Sequence, residues 1–398
     1  MPADDRYGMR VAHVITRLIV GGAQENTVAS VLGLATRSPW VPELLSGPTR
    51  GREGSLEPAF DAHPGMLRVE PRLVRPVHPW NDLLAYRDLR RHFLRTRPGI
   101  VHTHSGKAGL LGRLAARKAG VPLVLHTIHG PSFGPFQGRL SNLLFTHAER
   151  MAGGVTDHFV VVANAMRDQY LSAGIGRPED YTRVFSGFDL EPFLHASRGP
   201  ELASGLGLRP GDFVVGMIAR LFKLKGHDAL FEAAPELVRR IPNVRFLLVG
   251  DGEWRGRFEE MASRPGLAGR FVFTGLVPPS DVPRHVALMD TLVHLSRREG
   301  LPRALPQAAA AGLPLVAYDV DGAGEVCRDG ENGFLLPLGD RKGLVESLCR
   351  LAADPILRRE MGSRGRDRVR ELFPVGRMVD DLDALYRRLL ARRGIPLE

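Results

Sequence analysis

Glu299 and Gln307 stand eight residues apart in REGLPRALPQAAAAG (298–312), an acid in a glycine-containing turn and an amide in a helical run. Pro302 suits the first turn of that helix, where its missing N–H costs nothing. The backbone N–H groups of Gly300 and Leu301 then point out of the helix start. Glu299, just outside, is placed to accept hydrogen bonds from sugar hydroxyls, and Gln307 meets a more distant part of the same ligand. Arg220 and Lys225 in ARLFKLKGH (219–227) follow a strand and precede a helix. Two cations there suit a diphosphate, since Arg binds in bidentate fashion and Lys acts as a point charge. Lys223 competes for that role, and a solvated basic loop is the plainer alternative.

Gly21 and Gly22 in RLIVGGAQE (17–25) precede another helix. Glycine lets backbone approach a ligand closely and a helix N-terminus favours an anion, though a tight turn explains the pair equally well. The glycine-flanked Asp251 in VGDGE reads as a turn. His102 and His104 lie two apart on a predicted strand and point the same way, and His126 and His129 end the next one. A zinc hydrolase uses such sets, but a carboxylate ligand at suitable spacing is missing nearby. The expectation is that His102 is a core residue and His104 lines a cleft. DVD (319–321) is a literal DxD, a pattern that elsewhere binds a divalent ion, but it lies well past the donor-type motifs.

The elements that must position these residues alternate between strand and helix. RVAHVIT (10–16), GIVHTH (99–104), VPLVLHT (121–127), HFVVVA (158–163) and TRVFS (182–186) read as strands, with helices such as 23–35, 82–95 and 107–120 between them. A second series follows: FVVGMIA (213–219), VRFLLVG (244–250), RFVFTG (270–275), TLVHLS (291–296), LPLVAYD (313–319) and GFLLP (333–337). Such alternation argues for an α/β chain with two doubly wound parallel sheets, whose ligands bind beyond the carboxyl ends of the strands. The reading divides the chain into an N-terminal domain (1–190), a Pro/Gly/Ser-rich connection (191–212), a C-terminal domain (213–373) and a final helical segment (374–398) packing back on the first domain.

Composition narrows the class. A chain of 398 residues with 43% hydrophobic and 25% charged content is an ordinary globular protein of two or three domains. Two cysteines without CxxC spacing, no signal peptide and no 18-residue apolar run point to a cytoplasmic protein. The net charge of +10 fits nucleic acid, anionic lipid or a phosphorylated small molecule. With 7% aromatics and no base-reading motif, nucleic acid is disfavoured.

Taken in order, GGAQE, ARxxxxKG, VGDGE, FTG and EGLPRALPQAAAAGLPLVA resemble the retaining glycosyltransferases of family 4, from about residue 9 to residue 390. The resemblance implies the GT-B fold, two Rossmann-like domains facing a cleft that holds a nucleotide-sugar co-substrate, with no metal and no other cofactor. It implies that Arg220 and Lys225 neutralise the donor diphosphate and that Glu299 holds donor-sugar hydroxyls. Gln307 stands where a second Glu contacts the ribose. Gly275 of FTG, Gly300 and Leu301 fall on the donor side, Gly21 and Gly22 on the closing loop, and His129 near the anomeric centre. Gln307 departs from the family's Glu, yet its amide still accepts from a ribose hydroxyl. Pro306 is expected to kink its helix.

The function expected is metal-independent, retaining sugar transfer to a hydroxyl of a glycan or lipid-linked glycan. Polysaccharide biosynthesis is the expected setting. The basic helix 82–95 is the expected contact with the inner face of an anionic membrane. A sugar-nucleotide epimerase of the same fold is the nearest alternative, ahead of a zinc-dependent hydrolase or a nucleic-acid-binding protein.

Overall fold

A computed structural model describes residues 8–49, 54–134 and 136–397. The chain forms two compact units, one of residues up to Gly187 together with Val375 onward, the other Phe188–Pro374.

Among the described residues, the first unit has seven parallel strands: β1 (Met9–Ile15), β2 (Trp40–Ser46), β3 (Leu67–Val69), β4 (Ile100–His104), β5 (Leu123–Ile128), β6 (His158–Val161) and β7 (Tyr181–Arg183). Their order is 3-2-1-4-5-6-7. The central strands are buried on both faces, which is why they read as nearly unbroken apolar runs. Most of the polar exceptions are histidines: His13 on β1, His102 and His104 on β4, His126 on β5 and His158 on β6 are all buried, with Thr103 and Thr127 beside them. Helix Val375–Arg392 belongs to this unit. Its Met378, Val379, Leu382, Leu385, Tyr386, Leu389 and Leu390 recur at three- and four-residue spacing and pack on Val11, Leu34, Trp40 and Ile100. Gly33 allows that approach, since a Cβ there would lie 2.3 Å from a Val379 methyl.

The second unit has six parallel strands among the described residues: β8 (Phe213–Ile218), β9 (Val244–Val249), β10 (Phe271–Phe273), β11 (Thr291–His294), β12 (Leu315–Tyr318) and β13 (Gly333–Leu336), in the order 10-9-8-11-12-13. Residues 191–212, read from sequence as a connection, cluster with this unit. Within it Phe193 and Leu208 are buried, and helix Glu191–Leu194 packs on helices Val282–Val286 and Ala304–Ala310. Two apolar anchors suffice to dock a segment whose Pro, Gly and Ser content suggests a linker.

Both sheets are doubly wound, and each reverses its strand order at one point: between β1 and β4 in the first, between β8 and β11 in the second. The loops leaving those strands are the places where a ligand can reach backbone and side chains together.

The buried histidines make the first unit acid-sensitive. Burial holds His13 at about 3 and His129 at about 4, and burial with nearby Arg388 holds His158 at about 4, against an ordinary 6.5. Below that ordinary value the unfolded chain binds more protons than the folded one, so stability falls as pH falls through the window from 6.5 towards 4. Urea midpoints should therefore drop steadily from neutral pH to about 5, before most carboxylates titrate. A flat profile over that range would contradict neutral burial of these rings.

Candidate active site

In the second unit, Lys225 and Glu299 meet at the switch point. Lys225 lies in the loop after β8 and Glu299 in the loop after β11, and Lys225 Nζ donates to Glu299 Oε1 at 2.6 Å. Backbone contacts stitch the two loops together. Arg297 N–H donates to Leu224 O at 2.8 Å, and the Ser296 hydroxyl to the same carbonyl at 3.1 Å. Gly226 makes this possible: its φ is 86° and a Cβ there would lie 1.9 Å from Leu295 O.

Glu299 is fixed from two further sides. Asp321 Oδ2 accepts from the Glu299 N–H at 2.6 Å, and Gly322 N–H donates to Gly300 O at 2.9 Å. The second Asp of the DVD stretch thus latches the Glu299 loop, a use of its carboxylate that the metal-binding reading did not anticipate. His294 Nε2 lies 3.5 Å from Glu299 Oε1, beyond a normal hydrogen-bond distance. Burial pushes the Glu299 carboxyl up, but His294 and Lys225 outweigh it and hold the group at about 2. Sequence reasoning passed over His294 and weighed Asp321 only as part of a metal-binding DxD. The one signal for His294 was its place at the end of β11, five residues before Glu299.

The other expected donor-side residues are arranged less tightly. Arg220 is exposed, with its guanidinium 5.8 Å over the Phe222 ring. Gly275 (φ 72°) accepts from Gly250 N–H at 3.1 Å, and Gly250 packs so closely that a Cβ would lie 2.3 Å from Ala219 O. The VGDGE and FTG turns therefore abut the loop that carries Arg220. Gly300 and Leu301 are half-buried. The helix after them begins at Ala304, later than the Pro302 start read from sequence. That shift puts Pro306 in the first turn, where no intrahelical N–H bond is lost, so the expected kink has no cause. Gln307 is 6% exposed on this helix.

In the first unit, Gly21 caps helix Gly22–Ala35, and a Cβ at Gly22 would meet nothing within 4 Å. Packing does not demand glycine there. His129 follows β5 and is half-buried, its Nε2 3.0 Å from His104 Nδ1. His104 is not cleft-lining as expected: it is 1% exposed, behind His129, and its Nε2 is 3.0 Å from His13 Nδ1. His102 is a core residue, with Nδ1 2.5 Å from the Tyr386 hydroxyl and Nε2 2.6 Å from Thr127 Oγ1. His13, His102 and His104 have ring nitrogens within 4.8 Å of one another. All ring nitrogens of His102 and His104 already have protein partners, which fits a hydrogen-bonded cluster better than a zinc site.

Comparison with known proteins covers both units. Residues 44–192 match the family described as Glycosyltransferase Family 4, and residues 200–368 that described as Glycosyl transferases group 1. The UDP-Gal:alpha-D-GlcNAc-diphosphoundecaprenol alpha-1,3-galactosyltransferase of Escherichia coli is 30% identical over 320 residues, 79% of this chain and 82% of that protein. A GDP-mannose-dependent phosphatidylinositol monomannoside mannosyltransferase of Mycolicibacterium smegmatis is 32% identical over 65% of this chain and 68% of its own. Among solved structures, HepE of Anabaena in complex with UDP superposes with a TM-score of 0.79 at 22% identity, over 96% of this chain and all of that one. With two family matches in sequence order and a galactosyltransferase related over most of both chains, this protein belongs to glycosyltransferase family 4 and has the GT-B fold.

Proposed function

We propose that this glycosyltransferase takes a sugar from a nucleotide-sugar, without a metal, and transfers it with retention of anomeric configuration to a hydroxyl of a glycan or lipid-linked glycan. The observation that carries the donor half is the Lys225–Glu299 pair at the switch point of the second sheet. A half-buried, ionised carboxylate beside an ammonium is preorganised to accept from sugar hydroxyls on one side and neutralise phosphate on the other. Arg220, the Gly300 and Leu301 N–H groups and Gly275 complete the diphosphate surroundings, and Gln307 takes the ribose. Gly21 and Gly22 close on the donor phosphate and the acceptor side, and His129 lies near the anomeric centre on the acceptor side. The new bond forms between the acceptor oxygen and the anomeric carbon as the bond to the leaving phosphate breaks. The acceptor proton passes to that phosphate, so no carboxylate acts as nucleophile. The E. coli relative supports this by its own substrates, UDP-Gal and a diphosphoundecaprenol-linked sugar, and HepE by its complex with UDP-glucose.

A lipid-linked acceptor calls for a membrane surface. Among the described residues no helix is long and apolar enough to cross one. Helix Arg139–Gly153, however, turns Leu140, Leu143, Leu144 and Met151 outward, with 70%, 63%, 60% and 51% of their surface exposed. Arg139 and Arg150 are exposed beside them, while Glu149 turns inward to Arg113 at 2.7 Å. An apolar stripe flanked by cations suits the interface of an anionic bilayer. It is a stronger candidate than the 82–95 stretch, where Asp88 pairs with Arg72 and Arg91.

A thermal-shift screen of nucleotide-sugars in EDTA tests the donor reading. At a hundred times its dissociation constant, the right donor should stabilise the protein by about 2.7 kcal/mol. A screen without any shift would sink the donor proposal, and a shift that EDTA abolishes and Mn²⁺ restores would sink metal independence.

Steady-state kinetics with that donor divide the roles. Gln307→Leu should weaken donor binding by roughly 0.5–1.5 kcal/mol and leave turnover nearly unchanged, because ribose does not react. Gln307→Glu should stay active. Glu299→Gln should lower turnover itself. Loss of turnover in Gln307→Leu equal to that in Glu299→Gln, with donor affinity intact, would show that the two do not divide the ligand.

Sedimentation with anionic vesicles tests the membrane surface. The wild type should bind, more weakly as salt rises, and the exposed-site double variant Leu143→Asp, Leu144→Asp should lose most of that binding. Equal binding by the variant would remove this helix from the interface.

A further inference from the structure

His13, His104 and His129 form one hydrogen-bonded line in the first unit. His13 Nδ1 lies 3.0 Å from His104 Nε2, and His104 Nδ1 lies 3.0 Å from His129 Nε2. At its inner end, His13 Nε2 is buried and has no partner among the described residues. At its outer end, His129 is half-buried. His102 stacks on His104 with ring centroids 4.6 Å apart and keeps both its nitrogens on Tyr386 and Thr127, so it shields the line without joining it.

Burial keeps the three rings neutral near pH 7, with His13 held at about 3, His129 at about 4, and His104 well below the ordinary value. A neutral imidazole has one N–H and one lone pair. Each contact in the line needs one of each, so the three protons are locked into a common order. Either every ring carries its proton on Nδ1, or every ring carries it on Nε2. The second order leaves a buried N–H at His13 Nε2 with no acceptor. The first leaves only an unused lone pair at the same atom. Orphaned buried N–H groups are rarer than under-used acceptors, and burying a donor without a partner costs more than the contact is worth.

We infer that His13 and His104 are positioning residues that hold His129 in its Nδ1–H tautomer, so that its outer edge offers a hydrogen-bond donor and not a proton acceptor. His13 donates to His104, and His104 donates to His129. A general-base role for His129 is thereby closed off, and its natural partner is an oxygen with a free lone pair, such as a sugar hydroxyl or a phosphate oxygen. That agrees with a reaction in which the leaving phosphate takes the acceptor proton. The functional meaning rests on the acceptor-side role proposed for His129, but the proton order does not, so either can fail alone.

The test is long-range proton–nitrogen correlation spectroscopy of the full chain with isotopically labelled histidine, at neutral pH and without ligand. His13, His104 and His129 should each show a protonated-type Nδ1 and a lone-pair-type Nε2. His129 found with its proton on Nε2 would overturn the proposal. In His104→Gln, the amide can accept from His13 and donate to His129, so His129 should keep its single tautomer. In His104→Leu the order is lost, and His129 should show the averaged signals of two tautomers. A His129 still pinned in His104→Leu would show that the line does not set it. If that variant fails to fold, the wild type and His104→Gln decide.

Discussion

The adjacency of β8 and β11 is the constraint on which the second unit's chemistry depends. Strands separated by a long stretch of sequence become neighbours at the reversal of the sheet, with Thr291 opposite Val215. Their exit loops are then forced together, and only a glycine at 226 lets the backbone pass Leu295 at the distance observed. That close pass delivers Lys225 to Glu299. The ion pair is partly shielded, so it gains more than an exposed pair would. The Asp321 latch fixes the backbone at Glu299, and His294 and Lys225 keep its carboxyl low.

The first unit solves a different problem. Five histidines sit on buried strands where aliphatic side chains would cost nothing. Each ring must find partners or leave polar atoms unmet. Tyr386 and Thr127 satisfy His102, Thr103 meets His126 at 2.9 Å, and His104 bridges two other histidines. Tyr386 comes from the last helix, so the final segment of the chain completes the polar core of the unit that the first segment begins. Apolar packing of the same helix supplies the driving force, and the hydroxyl contact supplies direction.

Charge is distributed unevenly over the surface. Many arginines are spent on short ion pairs within a helix, such as Arg377–Asp381 and Arg387–Asp383, which contribute little individually. The outward face of helix Arg139–Gly153 combines exposed arginines with exposed leucines instead. An apolar stripe of this kind has no role in the core of its own unit.

The sequence by itself determined the two α/β units, because apolar runs of strand length alternate with helical periods and each parallel strand must be covered on both faces. It also placed Gly21, Lys225 and Glu299 in loops beyond strand ends, where the structure has them. Pairing distances were not legible. Nothing local in KGH or REGLP says that Lys225 reaches Glu299, that Asp321 holds the Glu299 N–H, or that His294 stands beside it. The line from His13 to His129 was equally hidden, since it crosses three strands whose order no local pattern encodes. Residues 191–212 looked like a linker because composition reports flexibility, while docking depends on two buried side chains, Phe193 and Leu208. Pro306 looked disruptive because its position within the helix depends on where the helix starts, and the helix starts only at Ala304. Local propensity fixes which segments are strands and helices. Only the folded sheet decides which distant side chains share a proton or a charge.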